Sequence, residues 1–276
     1  MELRLFDLVS RGEIPVPALP GNDWDLVAAG GRFVLLGRRG GNALLLRVRE
    51  DGEGCDSAPL PGVPAGLQGV AVSRTGEEIF ALWNASGDLV ILSSAGTEQV
   101  PFSDGIRAVA LGSAQAVLTR DGSVHYRRHS GAWTGGWRRA DLDIAEEIAS
   151  GPYRLSARLS DGRIVFLETG RDPTGALAER SPGMGSALAD GYCGLYTLRT
   201  GKLCRNGRIC ITGCDVAELG CAVSGELEFA VCRRPDGTFL TALVTGTYTP
   251  SSLPFDGAPA VRAWDAGDRI LACLLD

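Results

Sequence analysis

Histidine and lysine are nearly absent from this chain. There are two histidines and one lysine, Lys202, against 26 arginines in a total of 27 basic residues. His125 and His129 are four residues apart, on one predicted hairpin, so histidine-dependent acid–base chemistry across a cleft is not expected. The arginine bias reflects codon usage and points to a GC-rich, bacterial genome. Long apolar runs are also missing, and none reaches the roughly 18 residues a membrane helix needs. The opening MELRLFDLVSRGEIPVP lacks a basic n-region and an unbroken apolar stretch, and Glu2 and Asp7 flank its few apolar residues. That is not a secretory signal, and a cytoplasmic location is expected. No Ser-His-Asp set, P-loop or dinucleotide fingerprint is present. The net charge of −6 argues against binding along a nucleic-acid backbone, which needs a basic face.

Glycine and proline, by contrast, are abundant. With 38 Gly and 14 Pro in 276 residues, long helices are excluded and many short strands joined by turns are expected. Hydrophobic residues at 45% suffice for a large core.

One pattern recurs: a polar residue, a short Ala-rich apolar stretch, then usually Gly. The copies are DLVAAG (25–30), QGVAVS (68–73), RAVALG (107–112), EEIASG (146–151), SALADG (186–191), DVAELG (215–220) and RAWDAG (262–267). After most copies come a second apolar strand, a tight turn and a third strand. AVLTRDGSVHYRR (116–128), RLSARLSDGRIVFLE (154–168) and EFAVCRRPDGTFLTALV (228–244) carry Asp-Gly at that turn. Such a dipeptide between apolar runs predicts a type I′ hairpin, with positive φ at both central residues. A fourth segment rich in Pro and Gly often follows: PALPG (17–21), APLPG (58–62), VPFSDG (100–105) and LPFDG (253–257). Pro suits an outer edge strand, where a missing N–H costs little.

A four-stranded antiparallel meander of about 40 residues is the blade of a β-propeller. The copies recur at about that period, except that the interval from Gly191 to Gly220 is short and the next is long. Running from Gly267 to Asp276 and on from Met1 to Gly30 gives one more period. The expected fold is therefore an all-β, seven-bladed propeller forming one domain over residues 1–276. Its last blade combines about 258–276 with 1–21: DRILACLLD (268–276) is its second strand, ELRLFDLVSRG (2–12) its third and EIPVPALPG (13–21) its fourth.

VALGSAQAVLTRDGSV (109–124) and IASGPYRLSARLSDGRI (148–164) resemble repeats of the RCC1-like propellers, in which an apolar-Ala-x-Gly strand precedes a strand ending in a DG turn. The repeat is shorter than that family's and lacks its Gly-Gln-Leu-Gly segment. Gln115 and Arg154 stand where a histidine commonly follows the glycine. The resemblance implies a propeller and a role as a protein-binding platform.

The leading positions of the repeat, Asp25, Gln68, Arg107, Glu146, Ser186, Asp215 and Arg262, supply one polar residue per blade and predict a ring at one channel mouth. Such a ring either lines a solvated rim or binds a ligand or peptide end. Three positions further on stand Ala28, Ala71, Ala110, Ala149 and Ala189, small enough for a crowded axis. Glu218 and Asp265 break that rule in adjacent blades. A close carboxylate pair could share a proton, serve as catalytic acid and base, or hold a hard cation; otherwise each pairs with an arginine such as Arg107 or Arg262, or with backbone N–H groups. HYRRHSGAWTGGWRR (125–139) places His125, Tyr126, Arg127, Arg128, His129, Trp133, Trp137, Arg138 and Arg139 together. Interleaved aromatics and Arg stack on ligands or anchor protein interfaces, or simply cover the neighbouring blade. Cys193, Cys204, Cys210, Cys214, Cys221 and Cys232 cluster without a C-x2-C pair, the usual zinc spacing; they are read as buried reduced thiols.

The reading favoured by these features is a non-enzymatic scaffold or regulatory propeller that binds a protein partner through a channel mouth or the aromatic–Arg patch. The alternatives are a small-molecule binder or a lyase, hydrolase or cyclase using Glu218 and Asp265, and a lectin using the aromatics. No cofactor, metal, membrane or nucleic acid is expected.

Overall fold

Most Ala-rich copies begin a meander, because two strong signals alternate along the chain, buried apolar runs and glycine-marked turns. The computed structural model describes residues 2–21, 23–128, 136–152, 154–168, 188–190, 195–199, 201–205, 208–209, 215–224, 227–243, 251–253 and 261–276. The chain opens with β1 (Glu2–Asp7) and β2 (Glu13–Ile14). Sheet A follows, with β3 (Leu26–Gly30), β4 (Phe33–Gly37), β5 (Ala43–Val48) and β6 (Cys55–Pro59). Sheet B holds β7 (Leu67–Val72), β8 (Phe80–Asn84), β9 (Asp88–Ser93) and β10 (Gly96–Pro101). Sheet C holds β11 (Ile106–Leu111), β12 (Ala114–Thr119), β13 (Val124–Arg128) and β14 (Arg138–Arg139). Sheet D holds β15 (Ala145–Ser150), β16 (Arg154–Leu159) and β17 (Ile164–Glu168). Sheet E holds β18 (Leu188–Asp190), β19 (Leu195–Arg199), β20 (Lys202–Arg205) and β21 (Arg208–Ile209). Sheet F holds β22 (Glu218–Ser224), β23 (Leu227–Arg233), β24 (Phe239–Leu243) and β25 (Ser251–Ser252). Sheet G is built from β26 (Val261–Gly267), β27 (Ile270–Leu275), β1 and β2, in that order. Here β27 pairs with β1 from Glu2↔Leu275 to Asp7↔Ile270.

The first strands of the sheets are neighbours. β3 touches β7, β7 touches β11, and the series runs on through β15, β18, β22 and β26, which touches β3. The molecule is a β-propeller, its sheets packed face to face around an axis. That packing explains the sequence of the second strands. A sheet held between two others has both faces covered, so its inner strands lose the polar alternation of a half-solvated sheet. All six residues of β27 and of β12 are buried. The apolar clusters lie between sheets: Leu5, Leu274 and Ile270 of sheet G pack on Val34, Leu36 and Leu46 of sheet A. Between sheets E and F, the Tyr196 hydroxyl donates to the carboxylate of Glu228, and both residues are buried. Burial first, and that carboxylate second, raise the Tyr196 pKa. Among the described residues no helix is long and apolar enough to cross a membrane.

Two sequence expectations are corrected. The Asp-Gly turns are not type I′. Only the glycines have positive φ: Gly122 at 86°, Gly162 at 85° and Gly237 at 87°. Gly122 N–H bonds to Thr119 O at 3.1 Å, and Thr119 N–H bonds to Ser123 O at 2.9 Å. This is a three-residue loop, a type I turn closed by a left-handed glycine. Asp121 occupies a position with ordinary negative φ because its side chain is needed inside the loop. It accepts from Thr119 Oγ1 at 2.6 Å, from the Ser123 N–H at 3.0 Å and from Ser123 Oγ at 2.8 Å. The Thr119 hydroxyl, followed by the Ser123 donors, pulls the Asp121 pKa from 3.8 down to about 2.

A depressed carboxylate contributes stability above its unfolded pKa and loses it as pH falls through the folded one. Asp121→Asn is therefore expected to lower the melting temperature at pH 7. The gap to the wild type should shrink as pH falls from about 4 toward about 2. A gap independent of pH would assign the loop's stability to something other than the charge of Asp121.

The second correction concerns sheet F. Its first strand is Glu218–Ser224. Ser224↔Leu227 takes the rung that Gly30↔Phe33 and Gly267↔Ile270 hold elsewhere. The repeat copy in this blade is thus displaced from DVAELG toward the C-terminus. Gly220 mimics the marker glycine but is small for another reason: a Cβ there would meet the Trp264 ring at 2.9 Å.

Candidate functional site

The polar leading residues lie at one end of the first strands, and in four blades they share a local deformation. The ladder between first and second strand skips a residue between Leu67 and Gly69, Ile106 and Ala108, Ala145 and Glu147, and Val261 and Ala263. The skipped residues are Gln68, Arg107, Glu146 and Arg262. Each is a β-bulge, which bends the strand and re-aims its extra side chain; bulges favour the rims of closed sheets and the edges of sites. Asp25 precedes β3 without a bulge, its N–H bonding to Gly37 O at 3.1 Å. Asp215 lies outside the strand, before β22, and Ser186 lies outside the described residues.

Several of these side chains are held. Asp25 accepts from the Arg39 N–H at 2.8 Å, with Arg39 Nε 3.5 Å from its other oxygen. Gln68 accepts from Arg120 at 3.3 Å. Arg158 clamps Glu146 at 2.6 Å and Glu147 at 3.0 Å. Arg262 donates to the carbonyl of Trp24. Arg107 and Asp215 are exposed and take no partner among the described residues. The holding arginines 39, 120 and 158 carry no signal in the sequence, since they come from second strands and turns that only the fold brings to the rim.

Ala28, Ala71, Ala110, Ala149 and Ala189 line the channel behind the rim. Glu218 and Asp265 do not meet as a pair. Ala222, paired with Phe229, holds the rung equivalent to Asp265, paired with Ala272. Glu218 accepts from the indole N–H of Trp264, and from Arg233 at 3.1 Å. Asp265 accepts from the N–H of Ala29 at 2.8 Å and from Arg74 at 2.6 Å. Successive side chains of a strand point to opposite faces. Glu218 thus meets β26 on the face of Trp264, toward sheet F, and Asp265 projects toward sheet A. Their partners are Arg233 and Arg74, not Arg107 or Arg262.

The aromatic–Arg hairpin is divided. Trp137 and His125 stack edge-on against Phe102 of the preceding blade, at 5.3 Å and 5.4 Å between ring centres. Arg127 lies over the Trp137 ring at 4.8 Å, donates to Glu98 at 2.8 Å and to Gln115 at 2.7 Å. Tyr126 is buried. Trp137, His125 and Arg127 join sheets B and C, whereas Tyr126 packs the other way, with Leu155 and Val165 of sheet D. Burial first, then the Arg139 charge, hold the His125 pKa below the usual imidazole value. Arg138 and Arg139 are exposed. His129 and Trp133 lie outside the described residues, as does the side chain of Arg128.

Cys204, Cys221 and Cys232 are buried and free of disulfides; Cys193, Cys210 and Cys214 lie outside the described residues. Elsewhere, burial pushes the thiols of Cys55 and Cys273 up to about 11 and about 12, which keeps them protonated and unreactive at neutral pH.

No protein-family model and no curated protein matches the chain. Solved structures do share its fold. One is Prp20p from Saccharomyces cerevisiae, described with its binding to Gsp1p and histones, at TM-score 0.64 and 12% identity over 90% of this chain and 81% of that one. A second is the complex of Kap60 with yeast RCC1 (Prp20), at TM-score 0.65 and 14% identity over 90% and 79%. A third is human WBSCR16, at TM-score 0.51 and 11% identity over 91% and 71%. The neighbours are RCC1-like β-propellers, and at these identities the likeness is one of fold.

Proposed function

We propose that the chain is a single seven-bladed ring, closed where β27 pairs with β1, and that it works as a protein-interaction platform. The partner binds at the mouth rimmed by Gln68, Arg107, Glu146 and Arg262. The observation that carries this reading is the repetition of one bulge in four blades, each at the polar residue that leads its first strand. A rim that only needed solvation would not require the same break in the ladder four times. Among the described residues nothing occupies the donors of Arg107, and an arginine in a patch is a frequent anchor of protein interfaces. One propeller of similar fold, yeast Prp20, is described with its binding to Gsp1p and histones and is also seen bound to Kap60. Function resides in sites and not in the fold, so the rim and not the likeness is what must be tested.

Arg138 and Arg139 remain as a second exposed basic pair and serve as the comparison surface. The expected outcome is that Arg107→Glu with Arg262→Glu reduces recovery of a specific co-purifying partner at least tenfold, since interface anchors cost about 2 kcal/mol or more each. Arg138→Glu with Arg139→Glu should leave recovery unchanged. Undiminished recovery with the rim variant would contradict the assignment of the binding surface.

A further inference from the structure

The outer strand of sheet G stops early. β1 pairs with β27 along its whole length, but β2 covers it only at Leu5↔Ile14 and Phe6↔Glu13. In sheet B the outer strand β10 runs along β9 from Gly96↔Ser93 to Pro101↔Asp88. Pro15 and Pro17 end β2, since neither carries an N–H for the ladder. Beyond that point a groove of about 530 Å3 is lined by Glu2 and Leu3 on one side and by Glu13, Ile14, Val16 and Leu19 on the other.

One rung of the ladder is left open in this groove. The N–H of Asp7 donates to Gly12 O at 2.9 Å, and its C=O accepts from the Arg11 N–H at 2.7 Å. Asp7 therefore turns both peptide groups toward β2. In an antiparallel ladder that direction recurs at every second residue, at Leu5, which pairs with Ile14, and at Leu3. The next rung would join Leu3 to Val16, and it is not formed. The N–H and C=O of Leu3 take no backbone partner on this side among the described residues. The Leu3 side chain lies in the core shared with sheet A, and the groove borders the residue at its open edge.

The charge beside this rung is also unanswered. Glu2 and Glu13 are the charged residues among the described lining. Arg4 neutralises Glu13, donating from Nε and Nη2 at 2.7 Å each. Glu2 is exposed, so a ligand reaches it, and it takes no partner among the described residues. The groove thus offers an unpaired backbone donor and acceptor, one uncompensated negative charge and an apolar far wall. An extended peptide answers all three. Its backbone completes the Leu3 rung, and the following residue stands opposite Glu2, where an opposite charge is favourable. We propose that the open edge of β1 is a strand-addition site for an extended segment of a partner protein, antiparallel to β1, with a lysine or arginine opposite Glu2.

Nuclear magnetic resonance titration of the full chain with the blocked peptide acetyl-Thr-Val-Lys-Val-Thr-amide tests this. Binding is expected, with the largest amide shift at Leu3. N-methylation of the first valine, which stands opposite Leu3, should abolish binding. N-methylation of the lysine, whose N–H points away from β1, should not. Replacing the lysine by glutamate should weaken binding about fivefold, and Glu2→Lys should reverse that preference. Thermal melting verifies that the variant is folded. No binding of the lysine peptide, shifts away from β1, equal binding after methylation of the first valine, or an unchanged preference in folded Glu2→Lys would overturn the assignment. So would a Leu3 shift produced by raising the protein concentration alone, which would give the edge to a second copy. None of these outcomes depends on the partner of the rim.

Discussion

Deleting residues 268–276 is expected to leave no folded monomer. The deletion removes β27, which lies between β26 and β1 and pairs with both along its whole length. Ile270, Leu271 and Leu274 are fully buried and Leu275 is 7% exposed. At about 1.5–3 kcal/mol for each buried large aliphatic, these four contribute about 6–12 kcal/mol. A typical domain is stable by only about 5–15 kcal/mol in total. The truncation would also expose the inner edges of β1 and β26, unpaired strands of the kind that recruit other chains. Aggregated or unfolded protein is the expected product, seen by size exclusion and circular dichroism. Leu274→Ala gives a graded version, folded but less stable by about 2–5 kcal/mol. A monomeric truncation that melts at the wild-type temperature would contradict the role assigned to β27.

Placing a single methyl group at Gly267 should have a comparably severe effect for its size. A Cβ there would sit 2.2 Å from the carbonyl oxygen of Ala29 and 2.7 Å from its carbon. Gly30 and Gly112 face the same constraint, with the carbonyl oxygens of Ser73 and Ser150 each at 2.3 Å. In each case the obstacle is backbone of the next blade, at or just past the end of its first strand, so no side-chain rotation relieves it. None of these three glycines has positive φ, so the requirement is space and not backbone conformation. Gly267→Ala, Gly30→Ala and Gly112→Ala are each expected to cost about 3 kcal/mol, the upper part of the range for overpacking. Gly41→Ala is the control: nothing lies within 4 Å of its Cβ position, and its effect should stay within about 0.5 kcal/mol. Urea titration reads the difference. Equal midpoints for Gly267→Ala and Gly41→Ala would mean that the blades do not meet at this contact.

These glycines explain how much of the fold is legible in the sequence. The Ala-x-Gly ending of the repeat records blade-to-blade contact, the apolar second strands record coverage on both faces, and the Asp-Gly pairs mark the hairpins. What is not legible depends on a partner strand. The bulges at Gln68, Arg107, Glu146 and Arg262 are properties of register between two strands, and nothing in either strand alone declares them. Gly220 looks like another marker glycine, but its size answers to Trp264 of the next blade. That single substitution of cause displaces the apparent repeat and makes Glu218 look equivalent to Asp265. Trp137 reads as an exposed anchor because Phe102, the ring it packs on, belongs to another sheet. Arg74 carries no motif at all; only the fold makes it the partner of Asp265. The type I′ expectation fails for a local reason, since Asp121 is chosen for the three hydrogen bonds its carboxylate accepts and not for a left-handed backbone.

The proposed ring depends on strands from the two ends of the chain pairing in one sheet, as β1 and β27 do. Native-state amide hydrogen exchange tests this most directly, because pairing protects amides that a free terminal strand would leave open. Peptides covering residues 2–7 and 270–275 should exchange as slowly as those covering 114–119 of β12, and all three should be released together in mild denaturant. Exchange of residues 2–7 within seconds, while 114–119 stay protected, would contradict the account.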